Sequence, residues 1–383
     1  MTTTIDPVRL LADLVRCPSV TPDSAGALDL VEAALVPLGF AVTRLTFEGD
    51  GSWPVENLFA TRGTSGRHLL FAGHTDVVPP GNETLWTHKP FAADEADGRL
   101  YGRGAADMKS GIAAFIGAIA AAGDTDGRLS LAITNDEEAD SINGTEKLMA
   151  WATAQGHRFD FAIVGEPSAS QRVGDSIKVG RRGSLNGRIT VTGVQGHSAY
   201  PERAKNPLPV LARAVALLSS TPLDAGNERF QPSSLAFTTI DVGNPAGNVI
   251  PASGTARFNI RYNDGWTSQA LVDWVEARLA EVEAEGCTVQ YETVGRPSES
   301  FLSPPGGGID ALCRTIEAVT GARPQLSTGG GTSDARFIAK YCPVAECGLP
   351  GQTMHKVDEH VAIADVLALR DLYARFIADY PAT

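Results

Sequence analysis

The stretch His68-Leu-Leu-Phe-Ala-Gly-His-Thr-Asp76 joins a short apolar run to a histidine and an aspartate two residues apart. Read outward from its middle, the run is a buried strand that stops where polar chemistry begins. The pattern recurs twice. Leu129-Ser-Leu-Ala-Ile-Thr134 leads into Asn-Asp-Glu137-Glu138, and Phe159-Asp-Phe-Ala-Ile-Val164 leads into Gly165-Glu166-Pro167. Between the first two, Ala105 to Ala122 has the length and the Ala, Ile and Phe content of a buried helix. This alternation predicts an α/β domain with a mixed, largely parallel sheet and helices on both faces. In such sheets ligands bind beyond the carboxyl ends of the strands, so His74, Glu137, Glu138 and Glu166 are expected on one rim.

The pattern changes between about Gly183 and Arg296. A strand at Arg188 to Gly193 precedes a helix at Pro207 to Ser220. Strands at Ser234 to Val242 and Gly254 to Tyr262 follow, then a long amphipathic helix at Ser268 to Glu285 and a strand at Thr288 to Val294. The order β-α-β-β-α-β is that of a ferredoxin-like unit. After it the α/β character returns, with a helix at Gly308 to Thr320, a strand at Val344 to Gly348 and a last helix near Asp365 to Asp379. The expected organisation is a catalytic domain of residues 1–181 and 297–383 interrupted by an inserted α+β domain at 182–296. Two domains also suit the length, since 383 residues exceed what one ordinary core holds.

Composition narrows the partners. Lys and Arg number 32 against 45 Asp and Glu, a net charge of −13 that argues against a nucleic-acid surface. An anionic substrate therefore needs a local basic pocket. No stretch reaches the roughly 20 apolar residues that span a bilayer, and Met1-Thr-Thr-Thr-Ile-Asp-Pro7 lacks a basic start followed by an apolar run. The expectation is a cytoplasmic protein without a membrane partner. The cysteines are odd in number, 5, with no C-x-x-C pair, which favours reduced core fillers over disulfides or a thiolate metal site.

In extended backbone residues two apart share a side, so His74 can bind a metal while Asp76 holds its other ring nitrogen. A turn with a capping aspartate fits the same letters. Asp107 follows Gly102-Arg-Gly-Ala-Ala in a glycine-rich entry to the apolar helix; it reads as a helix start, or as a carboxylate able to bridge two ions. Glu137 and Glu138 repel each other unless a cation is near, and a strand end splays them so that one can take metal and the other face a water. Glu166, held extended before Pro167, and His355, in Thr353-Met-His-Lys356, complete the set. Two imidazoles and several carboxylates on one rim, with no thiolate among them, suit two zinc ions, or cobalt or manganese.

Taken in order along the chain, His74-Thr-Asp76, Gly102-Arg-Gly-Ala-Ala-Asp-Met-Lys109, Asp136-Glu-Glu138, Gly165-Glu-Pro-Ser168, Gly180-Arg-Arg-Gly-Ser184, Gln195-Gly-His-Ser-Ala-Tyr-Pro201, Gly330-Gly-Thr-Ser-Asp334 and Met354-His-Lys-Val-Asp-Glu359 resemble the co-catalytic metallopeptidases of the aminoacylase and carboxypeptidase G type over nearly the whole length. The resemblance implies that His74 and Glu166 bind one zinc, Glu138 and His355 the other, and that Asp107 bridges them. It implies that Asp76 orients His74 and that Glu137 is the general acid and base. It nominates His197, delivered from the inserted domain of a second subunit, as an oxyanion donor, so a homodimer through that domain is expected. Arg181 and Arg261 match substrate-contacting positions, and Asn248 and Thr332 look like polar partners; Arg182, read from its own chemistry, either packs at the domain junction or receives a substrate carboxylate. The implied reaction is hydrolysis of N-succinyl-L,L-diaminopimelate, with N-acetylornithine as the alternative substrate. Where several members of this type carry an asparagine four residues before the last histidine, this chain has Gly351 followed by Gln352.

Overall fold

A computed structural model describes residues 4–380. The chain divides into two compact units, one of Met1–Val179, Ser303–Ser327 and Ser333–Thr383, the other of Gly180–Leu302 and Thr328–Thr332.

The first unit is built on an eight-stranded sheet. Ala41–Gly49, Ser52–Arg62 and Arg128–Thr134 pair antiparallel in turn. His68–His74, Phe161–Val164 and Val344–Glu346 then continue parallel to Arg128–Thr134. Ser176–Lys178 runs antiparallel to Val344–Glu346, and Gln325–Ser327, parallel to Ser176–Lys178, forms the edge. His74 pairs with Thr134 and Ala72 with Val164, so the central parallel strands finish at nearly one level. The segments that follow them emerge side by side, which is what brings three motifs to one rim.

Both faces of this sheet are covered. All seven residues of His68–His74 are buried, as the unbroken apolar run requires. Phe71 stacks on Phe115 at 4.1 Å and meets Tyr373 at 6.1 Å, which places helices Ser110–Ala122 and Ile363–Asp379 on its face. Ala72, one residue on, projects oppositely and lines up with Ala132 and Phe59. On that side Phe59 meets Trp151 of helix Thr145–Ala154 at 5.6 Å.

The expected helix at Ala105 to Ala122 is regular only from Ser110. Asp107 (φ −121°, ψ 102°) and Met108 (φ −127°, ψ 30°) leave helical geometry. The amides of Ala106 and Asp107, first-turn donors with no acceptor inside a helix, donate to a Glu359 carboxylate oxygen. Ala105–Ala122 is apolar and long enough to cross a membrane by composition, and 83% of it is buried inside this unit as a core helix. Gly111 in this helix is a close-approach site, since a Cβ there would lie 2.3 Å from the Gly165 carbonyl oxygen.

In the second unit the sheet order is Ser234–Asp241, Ser253–Tyr262, Gly183–Thr192, Thr288–Thr293, all antiparallel. Helices Pro207–Ser220 and Ser268–Ala280 complete the order β-α-β-β-α-β. Leu185, Ile189 and Val191 alternate inward on the first strand and pack with Val210, Leu211, Leu271 and Val275 of the helices. The helix expected to reach Glu285 stops at Ala280, where the Glu281 amide turns back to the Arg278 carbonyl; the chain passes through left-handed backbone later, at Glu285 (φ 50°) and Gly286 (φ 80°). Gly180–Arg181 pairs antiparallel with Phe301–Leu302. That pairing sets Arg181 and residues 297–302 in the second unit, where the sequence reading assigned them to the first.

Candidate metal centre

Seven of the expected site residues lie in the first unit, and five of them form two ligand groups that share one carboxylate. His74, Asp107 and Glu166 make one, Asp107, Glu138 and His355 the other. His74 Nε2 is 3.4 Å from Asp107 Oδ1 and 3.3 Å from Glu166 Oε1. His355 Nε2 is 3.4 Å from Asp107 Oδ2 and 3.0 Å from Glu138 Oε1. The two oxygens of Asp107 therefore face different imidazoles, the arrangement a bridging carboxylate requires.

Asp76 does more than hold an imidazole. His74 Nδ1 lies 2.9 Å from the Asp76 carbonyl oxygen and 3.5 Å from its carboxylate. The same carboxylate accepts hydrogen bonds from the Thr21 hydroxyl at 2.7 Å and from the amides of Glu137 at 3.3 Å and Glu138 at 3.0 Å. One buried group thus fixes the His74 ring and the start of the Glu137-Glu138 segment together. Asp136 folds the rest of that loop by accepting from the amides of Ile142 and Asn143.

The approach of Glu166 depends on missing side chains. A Cβ at Gly348 would lie 2.4 Å from the Glu166 carbonyl oxygen, and one at Gly111 would strike Gly165 from the opposite neighbour. Lys109, wholly buried, donates to the carbonyls of Leu14 and Cys17 and so ties the Asp107 segment to the end of helix Pro7–Arg16. Burial pushes its ammonium down to about 8.

The electrostatics call for a cation. Burial by itself lowers the His74 imidazole, yet Asp107, Asp76 and Glu166 around it raise it well above its usual value. Hydrogen bonds from His355 to the carboxylates of Asp107 and Glu138 raise its imidazole to about 10. Burial and the neighbouring Asp107 charge push Glu166 up to about 7. Burial, followed by Glu166, raises Glu137 well above the ordinary carboxylate range. His74 Nε2 and Asp107 Oδ1 are both buried without a hydrogen-bond partner. Orphaned ligand atoms facing one another among crowded carboxylates fit divalent metal, and a nitrogen and oxygen donor set without sulfur suits zinc, cobalt or manganese.

The remaining expected residues belong to the second unit. His197 is exposed in a two-residue ladder with Val249; its Nδ1 accepts from the Ala199 amide, which leaves Nε2 as the N–H donor. The Asn248 carbonyl accepts from Ser198 beside it. Arg181 donates to the Gly331 carbonyl at 3.0 Å, next to Thr332. Arg261 Nη1 and Arg182 Nε are buried and lack a hydrogen-bond partner, and burial together with the Arg182 charge lowers the Arg261 guanidinium. Paired guanidiniums with unused donors favour an anion. Gln352, at the position of departure from the family pattern, donates to the Ser170 carbonyl at 2.6 Å.

Thr21, Gly111 and Gly348 were not singled out by the sequence, and Arg103 and Glu359 stood inside its motifs without a role of their own. Each supports the site through a contact to a segment distant along the chain, and no local period marks such contacts.

Residues 70–379 match the profile of peptidase family M20/M25/M40. A succinyl-diaminopimelate desuccinylase of Rhodospirillum centenum is 54% identical over 96% of this chain and 95% of that one. One from Gluconacetobacter diazotrophicus is 55% identical over the same shares. Among solved structures, an M20-family metallo-carboxypeptidase from Sulfolobus solfataricus superposes with a TM-score of 0.79 at 17% identity, covering 99% of this chain and 100% of that one. A tripeptidase from Staphylococcus aureus gives 0.78 at 17%, with full coverage of both. At these identities the structural neighbours speak for the fold.

Proposed function

We propose that this chain, which belongs to peptidase family M20/M25/M40, is a metal-dependent amide hydrolase converting N-succinyl-L,L-diaminopimelate and water to succinate and L,L-diaminopimelate. The observation that carries the chemistry is the pair of ligand groups sharing Asp107, with Glu137 on the adjoining residue of the Glu138 segment. The full-length identity to proteins named for that reaction supports the substrate.

The reading assigns one zinc to His74, Asp107 and Glu166 and a second to Asp107, Glu138 and His355, with cobalt or manganese as substitutes. Bound there, divalent metal supplies an acidified water and withdraws electrons from the acyl carbonyl. Asp76 holds the His74 ring in the tautomer that presents Nε2. Glu137 takes a proton from the attacking water as its oxygen bonds the succinyl carbonyl carbon. It returns the proton to the nitrogen as the C–N bond breaks, so one carboxyl serves as base and then acid. Burial and the Glu166 charge raise the Glu137 carboxyl above its ordinary range, the direction that makes its carboxylate a stronger base. His197 of a second copy is the assigned donor to the developing oxyanion, in a homodimer formed through the second unit. Arg181 and Arg261, with Asn248 and Thr332, are assigned to the substrate, which carries three carboxylates, and the buried Nη1 of Arg261 without a hydrogen-bond partner supports the assignment. The reading sets this chemistry in the cytoplasm.

The test is hydrolysis of N-succinyl-L,L-diaminopimelate beside N-acetyl-L-ornithine by zinc-loaded and chelator-stripped protein. Succinyl preference that disappears with the metal supports the reading. Preference for acetylornithine keeps the centre and overturns the substrate.

A further inference from the structure

We propose that Arg103 and Glu359 form a positioning clamp that docks the His355 loop onto Asp107, so that the Asp107, Glu138, His355 site reaches full metal affinity only while the clamp is closed. The inference rests on the two-ion reading above and adds the device that assembles the second ion site.

Glu359 is wholly buried and lies four residues past His355, and Arg103 lies four residues before Asp107. Arg103 Nη1 is 2.6 Å from Glu359 Oε2 and donates to the Lys356 carbonyl at 3.4 Å. Glu359 Oε1 accepts from the amides of Ala106 at 2.9 Å and Asp107 at 3.2 Å, and its own carbonyl accepts from Gly102 at 2.8 Å. The Arg103 guanidinium lies over the Trp86 ring at 5.2 Å. One carboxylate therefore grips the backbone that carries the shared ligand, and its arginine partner grips the backbone that carries the imidazole.

The loop between them needs such a grip. His355 (φ 61°) and Asp358 (φ 57°) both sit in the left-handed region that non-glycine residues avoid. Backbone of this kind persists only where its surroundings over-determine it. The Asp358 carboxylate supplies a second anchor by accepting from the amides of Thr87 and His88. The His355 side chain is 46% exposed, whereas Asp107 and Glu138 beside it are 10% and 7% exposed. Its position is therefore set by the backbone that carries it more than by enclosure. Buried ion pairs add little net stability over apolar replacements, so a geometric use accounts for this one.

The test titrates metal-stripped, full-length protein with Zn²⁺ by calorimetry, with metal content checked by elemental analysis. It uses wild type, Glu359→Gln, Arg103→Lys and the double variant Arg103→Met/Glu359→Gln. The double variant removes both charges and avoids stranding one. Wild type is expected to take two ions. The variants are expected to bind the ion of Asp107, Glu138 and His355 about 10–100-fold more weakly, as when groups supporting a ligand are lost, and to weaken the ion of His74, Asp107 and Glu166 much less, since only its shared ligand touches the clamp. Adding His355→Ala to the double variant should then weaken the second ion little further, and amide exchange of residues 354–359 should rise. Wild-type affinity for both ions in the folded double variant overturns the clamp, as does equal weakening of both ions in step with lost thermal stability. A wild type that binds a single ion overturns the two-ion reading, and the clamp with it.

Discussion

Replacing Asp76 with asparagine tests how far one carboxylate organises the centre. Oδ1 accepts from the Glu137 amide and faces His74 Nδ1, while Oδ2 accepts from Thr21 and the Glu138 amide. An asparagine keeps one acceptor oxygen, so in either orientation its amide nitrogen confronts a backbone N–H. The variant loses a hydrogen bond to a charged acceptor, about 1.5–3 kcal/mol, and leaves a buried donor unsatisfied, about 1–3 kcal/mol. Allowing for relaxation and overlap between these two costs, the expected loss is about 2–4 kcal/mol of unfolding free energy. Zinc affinity should fall about 10–100-fold, because the His74 ring keeps its bond to the Asp76 carbonyl but loses the neighbouring negative charge, and the Glu137-Glu138 segment loses its anchor. Urea unfolding with and without zinc measures the first quantity, and zinc titration the second. Thr21→Val removes one donor from the same charged carboxylate without stranding a backbone N–H and should cost about 1.5 kcal/mol, the low end of the range for a charged acceptor. An Asp76→Asn protein within about 0.5 kcal/mol of wild type, the spread of ordinary surface substitutions, and with unchanged zinc affinity refutes the reasoning.

Glu137→Gln should retain both ions and lower turnover about 10²–10⁴-fold, the usual worth of a positioned proton carrier; loss of metal instead would make Glu137 a ligand. Gly111→Ala gains about 1 kcal/mol of helix propensity. Its Cβ, however, would lie 2.3 Å from a backbone oxygen of Gly165, so net destabilisation and weaker zinc binding are expected from urea and metal titrations. The stability of the fold should also depend on His68, whose imidazole burial pushes down from 6.5 to about 4 while its ring nitrogens meet the Arg158 carbonyl and Ser130 hydroxyl. The unfolded chain takes up the proton first as pH drops, so this contribution is complete above 6.5 and is lost as pH falls towards 4. Urea midpoints for wild type and His68→Gln at pH 7.5, 6 and 4.5 should diverge least at the lowest value.

The parts of the fold that could be read from the sequence are those where one local pattern decides the outcome. The apolar run ending at His74, and those ending at Thr134 and Val164, could only be buried parallel strands. Their common finishing level then follows from pairing, which is why His74, Glu137, Glu138 and Glu166 were foreseeable on one rim. Pro207–Ser220 was legible to the residue, because Asn206 caps it and proline opens it. The entry to the helix at Ser110 was not. Its letters favour helix, and the carboxylate that takes up its first amides comes from Glu359, 253 residues away from Ala106. Thr21 reaches Asp76 across 55 residues in the same way. The resemblance to known metallopeptidases named the ligands, while the groups that hold those ligands in place became visible only once distant segments were brought together.

The most direct test of the shared-carboxylate centre is anomalous diffraction at the zinc edge from crystals of the zinc-loaded protein. Two peaks are expected, one bounded by His74, Asp107 and Glu166 and the other by Asp107, Glu138 and His355, with Asp107 between them. A single peak, or peaks that leave Asp107 without a metal contact, contradicts the account.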